Sequence, residues 1–163
     1  MFSANPNMRE FARILLNSPP AAHAWVQGDA AHRGLHGTVR FYPALGGTLV
    51  AAEIHGLPAK MPSGVFAFHI HDGKACRGNA EDPFAAAGSH FNPAGREHPY
   101  HAGDLPPLFS NNGFAFLAVY TGRFTPEDVV GRTVILHGGV DDFTSQPAGN
   151  AGKKIACGEI RKG

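Results

Sequence analysis

Six histidines and one aspartate constrain this chain more than any other feature, because its fold has to bring them together. They are His69, His71, His90, His98, His101, Asp104 and His137. Neutral imidazole is the commonest metal ligand among side chains, and no other chemistry in the sequence calls for seven such groups. His69 and His71 sit two apart in Phe68-His69-Ile70-His71, so on a strand both rings leave the same face. His98, His101 and Asp104 follow at three-residue steps and can wrap one ion from a loop. Three ligands leave a closed zinc site one short, and His90 can supply the fourth. His137, at the end of a strand, can join the first pair. Each fragment is incomplete and the fragments complete one another, as two metal sites sharing a ligand. His23, His32, His36 and His55 have no ligand spacing and read as ordinary surface or loop residues.

The rest of the chain predicts an all-β domain. Twenty-one glycines and 13 prolines are too many for a helical bundle and suit short strands joined by long loops. Strands are expected at 22–27, 36–42, 47–55, 65–71, 104–109, 114–121, 132–137 and 154–160. Residues 48–54 alternate only roughly, as one face of a sandwich. Two connections, 72–103 and 138–153, are long enough to be functional loops, and the first holds most of the loop-borne ligands. Thr125-Pro126-Glu127-Asp128 reads as one capped helical turn. Eight strands with two long loops imply an antiparallel sandwich or barrel. Before them, Met8, Phe11, Ile14 and Leu15 at helical spacing predict a short docking helix over 7–17, stopped by Asn17-Ser18-Pro19-Pro20. The chain therefore divides into an N-terminal helical extension, 1–20, and one domain, 21–163.

A chain of 163 residues can bury a single core without obligatory disulfides. Fourteen basic against 13 acidic residues, with no basic cluster interleaved with aromatics, argue against nucleic acid as a partner. No apolar run approaches the roughly 18 residues of a membrane span. Residues 1–10 lack the apolar segment of a secretory signal, which predicts a cytoplasmic chain as written, or a periplasmic or extracellular one if a signal has been removed. Cys76 and Cys157 fit either free thiols, the cytosolic default, or one long-range staple.

Four motifs in order, Phe68-His69-Ile70-His71, Gly88-Ser89-His90-Phe91-Asn92-Pro93, His101-Ala102-Gly103-Asp104-Leu105-Pro106 and Gly149-Asn150-Ala151-Gly152-Lys153-Lys154-Ile155-Ala156-Cys157-Gly158, resemble the copper–zinc superoxide dismutase family. The resemblance runs from about Ala22 to Ile160. It implies an eight-stranded, immunoglobulin-like Greek-key sandwich or barrel, and copper and zinc as cofactors. By the resemblance the copper ligands are His69, His71, His90 and His137, and the zinc ligands are His90, His98, His101 and Asp104. His90 is then an imidazolate bridging both ions. Asp141 matches the aspartate that orients one ligand of each metal. Cys76 and Cys157 match the family's disulfide, closing a loop of roughly 80 residues for which chain-entropy arithmetic gives about 4–5 kcal/mol.

The implied reaction is dismutation of the superoxide anion to dioxygen and hydrogen peroxide by one-electron cycling at copper, with His90 picking up and returning a proton. A positive mouth should draw in so small an anion. Here the sequence departs from the family, because the substrate-guiding arginine falls at Lys154. Lysine keeps the charge but lacks the planar fork that holds an anion through two hydrogen bonds, which predicts weaker guidance; Lys153 is a substitute cation. The interval from His71 to Cys76 is also short, in a subloop that often helps form the family's dimer. A homodimer through a different interface, with the extra helix as a contact, and a copper-donating protein are further partners to test. The alternative function is a copper- and zinc-binding protein on the same scaffold with little dismutation because of Lys154. A zinc-only structural protein is a third reading.

Overall fold

Eight antiparallel strands carry the fold: β1 (Ala22–Gly28), β2 (His36–Ala44), β3 (Gly47–His55), β4 (Val65–His71), β5 (Asp104–Phe109), β6 (Ala115–Thr121), β7 (Thr133–His137) and β8 (Lys154–Lys162). The computed structural model describes residues 8–59 and 63–163. The strands form one sheet in the order β5-β4-β7-β8-β1-β2-β3-β6, and β5 and β6, its two ends, approach each other, so the sheet curls into a nearly closed barrel. β3 pairs with β6 and β4 with β7, which makes the links from β3 to β4 and from β6 to β7 the crossovers of a Greek key. All eight expected strands are present, each within two residues of its expected bounds.

Alternation sets the core. Ala22, Ala24 and Val26 of β1, Val39 and Phe41 of β2, Val50, Ala52 and Ile54 of β3 and Phe66, Phe68 and Ile70 of β4 point inward and are buried. Several strands depart from the pattern, and in β3, β4 and β7 the cause is a segment packed on the outer face. In β3 the outward residues Leu49 and Ala51 are buried as well, because helix α1 (Met8–Asn17) lies over them with Ile14, Phe11 and Leu15, together with Tyr42 and Ala44. That cover explains the rough alternation of 48–54. Residue 7, expected as the first of the helix, lies outside the described residues, as do residues 1–6 of the extension.

In β4, six of seven residues are buried. Phe66, Phe68 and Ile70 face the core, while Ala67, His69 and His71 face outward beneath the two long loops. β7 repeats this, with Val134 and Leu136 inward and Ile135 and His137 outward. Ile135 meets Phe84, Ala87 and Cys157 in a small apolar cluster that seats the loop over the strands. A disulfide between Cys76 and Cys157 ties that loop to β8. The capped turn forms as α2 (Pro126–Val129), with the Thr125 amide donating to the Asp128 carboxylate at 2.7 Å.

Candidate metal centre

The outer face of β4 and β7 is where the histidines meet. His69 and His71 share that face by strand parity, and register sets His69 opposite Asp104 of β5 and Ile135 of β7. A bulge between Leu136 and His137 lets His137 turn into the same space. The loop 72–103 returns to β4 through a bridge between His71 and His90, bringing His90 over the strand, and then delivers His98 and His101. Potential ligand atoms fall into two groups, each within 4.8 Å: His69, His71, His90 and His137, and His90, His98, His101 and Asp104. All six histidines are buried.

Hydrogen bonds determine which ring nitrogens point where. His71 Nδ1 donates to the Gly88 carbonyl at 2.7 Å and His137 Nδ1 to the Gly152 carbonyl at 3.1 Å. In the neutral ring each Nε2 is then a bare acceptor, and these two acceptors face each other at 3.2 Å. Two lone pairs cannot bond each other; a cation between them resolves the contact. His69 gives Nε2 to Asp141 at 2.8 Å, leaving its buried Nδ1 without a partner, and His90 Nε2 is similarly orphaned. Such buried polar atoms are costly unless satisfied, and a metal satisfies them.

The second group closes on Asp104. His90 Nδ1 lies 2.7 Å from one carboxylate oxygen, and His98 Nδ1 and His101 Nδ1 lie 3.2 and 3.3 Å from the other. The His98 contact lacks hydrogen-bond geometry and leaves that nitrogen unsatisfied. His90 therefore presents Nδ1 to one group and belongs to the other as well. The donor set of imidazoles and one carboxylate fits copper or zinc, and four donors at one point fit a closed zinc site.

Burial favours the neutral form of His69, His71 and His137, the form that can bind a metal. Burial pushes His71 down to about 2 and His137 down to about 3, with neighbouring imidazoles adding to the shift. His69 is lowered by burial against the opposing pull of Asp141. Burial acts to raise Asp141, but hydrogen bonds from His69, His98 and the Phe143 amide outweigh it and hold the carboxyl well below its usual range. Asp141 spans the groups, with Oδ2 on His69 and Oδ1 on His98 Nε2, both at 2.8 Å. Gly149 makes room for that bridge: a Cβ there would sit 2.0 Å from Asp141 Oδ1, and its φ of +67° favours glycine in any case.

Four contributors were not singled out by the sequence. Gln146 Oε1 accepts from the His98 amide at 2.9 Å and Nε2 donates to the His98 carbonyl at 2.7 Å, clasping one long loop to the other. Arg123 donates to the Pro99 and His101 carbonyls at 2.9 and 3.0 Å. Gly149 sits in an expected motif but its clearance is visible only in space. Asp82 forms an ion pair with Lys154 Nζ at 2.6 Å. Lys154 lines a cavity of about 310 Å³ over the first group, together with His71, His90, His137, Pro147 and Ala148. Lys153 faces a neighbouring cavity instead. Of the four remaining histidines, His32 pairs with Asp29 and His36 stacks on His55.

Fold and site together define a class: an all-β Greek-key barrel bearing two adjoining histidine-rich groups that share one ring and could each hold a metal. Residues 35–160 match the family described as copper/zinc superoxide dismutase. A superoxide dismutase [Cu-Zn] of Aquifex aeolicus (strain VF5) is 37% identical over 131 residues, covering 71% of this chain and 72% of that protein. One from Deinococcus radiodurans is 35% identical over 141 residues, covering 75% of each. The Cu/Zn superoxide dismutase from Brucella abortus superposes with a TM-score of 0.71 at 26% identity, covering 85% of this chain and 98% of that one. The chain belongs to the copper/zinc superoxide dismutase family of enzymes, whose cofactors are copper and zinc. No helix among the described residues is long and apolar enough to cross a membrane.

Proposed function

We propose that this chain converts superoxide to dioxygen and hydrogen peroxide, with copper held by His69, His71, His90 and His137 and zinc by His90, His98, His101 and Asp104. The facing acceptor nitrogens of His71 and His137 carry the reading, because that contact has no satisfied state without a cation. Bound copper supplies reversible one-electron exchange, and zinc supplies fixed charge without redox chemistry. The protein's own groups do the rest. Carbonyls of Gly88 and Gly152 hold His71 and His137 in one tautomer, and Asp141 orients His69 and His98 together. His90 Nε2, facing the first group, holds and returns one proton while Nδ1 stays with the second. Lys154 lines the cavity beside these rings and supplies a cation there for an arriving anion.

The test is metal content per chain after supply of both metals, with superoxide consumption measured before and after copper chelation. About one copper and one zinc, with chelation-sensitive dismutation, is the expected result. Full metal loading without dismutation would instead favour the second reading, a copper- and zinc-binding protein of little activity. One observation favours that reading: Lys154 already has a carboxylate partner.

We further infer that the chain divides into an extension, 1–20, and a domain, 21–163, in keeping with the packing of α1 on the outside of β2 and β3. A disulfide persists best in an oxidising setting, which supports a periplasmic or extracellular location over the cytosol. A copper donor and a homodimer with its own interface remain partners to test by copurification and light scattering.

A further inference from the structure

Asp82 is partly exposed, but its carboxylate is held by a built turn rather than reaching the nearest cation by chance. Its carboxylate Oδ1 accepts from the Phe84 amide at 3.0 Å, and its own amide donates to Asn79 Oδ1 at 2.9 Å. Its carbonyl accepts from the amides of Asn79 and Ala85, and Phe84, two residues on, is buried against Ile135 and Cys157. The loop that carries it is tied to β8 by the disulfide at Cys157, three residues from Lys154. Its free oxygen, Oδ2, is thus aimed by a built turn at Lys154 Nζ, whose side chain is only 15% exposed. Lys154 stands in the wall between two cavities: the one over the first histidine group, and one of about 530 Å³ that also meets Asp29, His32, Glu81, Asp82 and Lys153.

From this geometry we infer that Asp82 is a positioning residue that restrains Lys154 and sets how strongly the mouth of the site attracts small anions. The inference rests on the reading of Lys154 as the cation above the first group. Two opposite charges in contact act at a distance as a dipole, whose potential falls faster than that of a single charge. The paired ammonium therefore contributes little long-range steering. One of its three N–H donors is committed to Asp82. Its remaining donors serve only an anion that has already arrived. Release of the ammonium from Asp82 would both unmask the charge and let Nζ turn toward the anion. The mouth of the site is thus built with its attraction turned down, and the setting resides in a loop residue rather than in the Lys-for-Arg replacement alone.

The probe is azide, a small monovalent anion, titrated into the copper- and zinc-loaded full chain and followed by visible absorption at several salt concentrations. Asp82→Asn is expected to tighten azide binding about three- to tenfold at low ionic strength, with a steeper salt dependence, and the gain should shrink as salt shortens the Debye length. Lys154→Gln should weaken binding, and in that background Asp82→Asn should have at most a third of its effect. Asp82→Glu, which can re-form the pair, should restore the wild-type salt slope. Unchanged azide-free spectra and unfolding temperatures would show that the variants fold. Azide binding by Asp82→Asn equal to or weaker than wild type overturns the inference. An equal gain with or without Lys154 also overturns it, because Asp82 would then act as an independent repelling charge. If Lys154→Gln leaves azide binding unchanged in every background, the reading of Lys154 fails first, and the inference with it.

Discussion

Opening the Cys76–Cys157 disulfide should cost this protein a large part of its stability. The two cysteines are 81 positions apart, so the bond closes half the chain into a ring. Constraining a loop of that length in the unfolded ensemble is worth about 4.5 kcal/mol at 25 °C by chain-entropy arithmetic. For a chain of this size each kcal/mol moves the midpoint by about 2–4 °C, so the full effect is a fall of about 9–18 °C. The comparison is metal-free oxidised against metal-free reduced wild type, in thermal scans at one pH. Metal must be absent because an ion bound only by the folded state adds its own stabilisation. Reduction, unlike substitution by alanine, leaves both sulfurs in place, so the buried Cys157 creates no void among Phe84, Ala87 and Ile135. A shift below about 1 kcal/mol, or 2–4 °C, would refute the reasoning and mean that the loop is held in the unfolded chain by something else.

Other outcomes follow from the same contacts. Asp141→Asn should weaken both metals together, about 10–100-fold, since one carboxylate orients a ring in each group; chelator competition on each metal checks it, and loss at one group alone would contradict the bridge. Gln146→Leu removes two hydrogen bonds of about 1 kcal/mol each from the His98 backbone and should lower zinc affinity about tenfold or more while leaving copper affinity within a factor of two. Asp142 is lowered to about 2 by the Ser145 hydroxyl and amide and the Thr144 amide. Its folded pKa lies below the unfolded value, so its stabilisation is present above about pH 4 and is lost as pH falls toward 2. Urea midpoints of Asp142→Asn and wild type should accordingly differ at pH 6 and converge near pH 2, and a constant gap would show that the carboxylate's charge is irrelevant.

Much of this protein is determined by its sequence alone. Gly, Pro and Asp clusters placed the strands by their ends, and within a strand a residue's face follows from parity without knowledge of neighbours. The candidate ligands were legible for a related reason: histidine is costly to bury, and His69 and His71 on one face, or His98, His101 and Asp104 at equal steps, suggest a shared purpose, and the fold brings them into two groups that could each hold a metal. The motif at Gly149–Gly158 carried Lys154 and Cys157 with it. What the sequence left open were contacts between residues far apart whose side chains are individually ordinary. The rough alternation of 48–54 came from a helix lying on the outside of β3, and nothing in Leu49 or Ala51 names Ile14 as the cover. Gln146 and Arg123 act through backbone groups of the ligand loop, which have no sequence signature. Asp82 reaches Lys154 across 72 positions because the barrel brings a loop back onto β8, and only that approach turns a solitary lysine into half of an ion pair. Local geometry repeats along a chain and can be read from it, whereas the charge state and reach of a side chain depend on what the fold sets beside it.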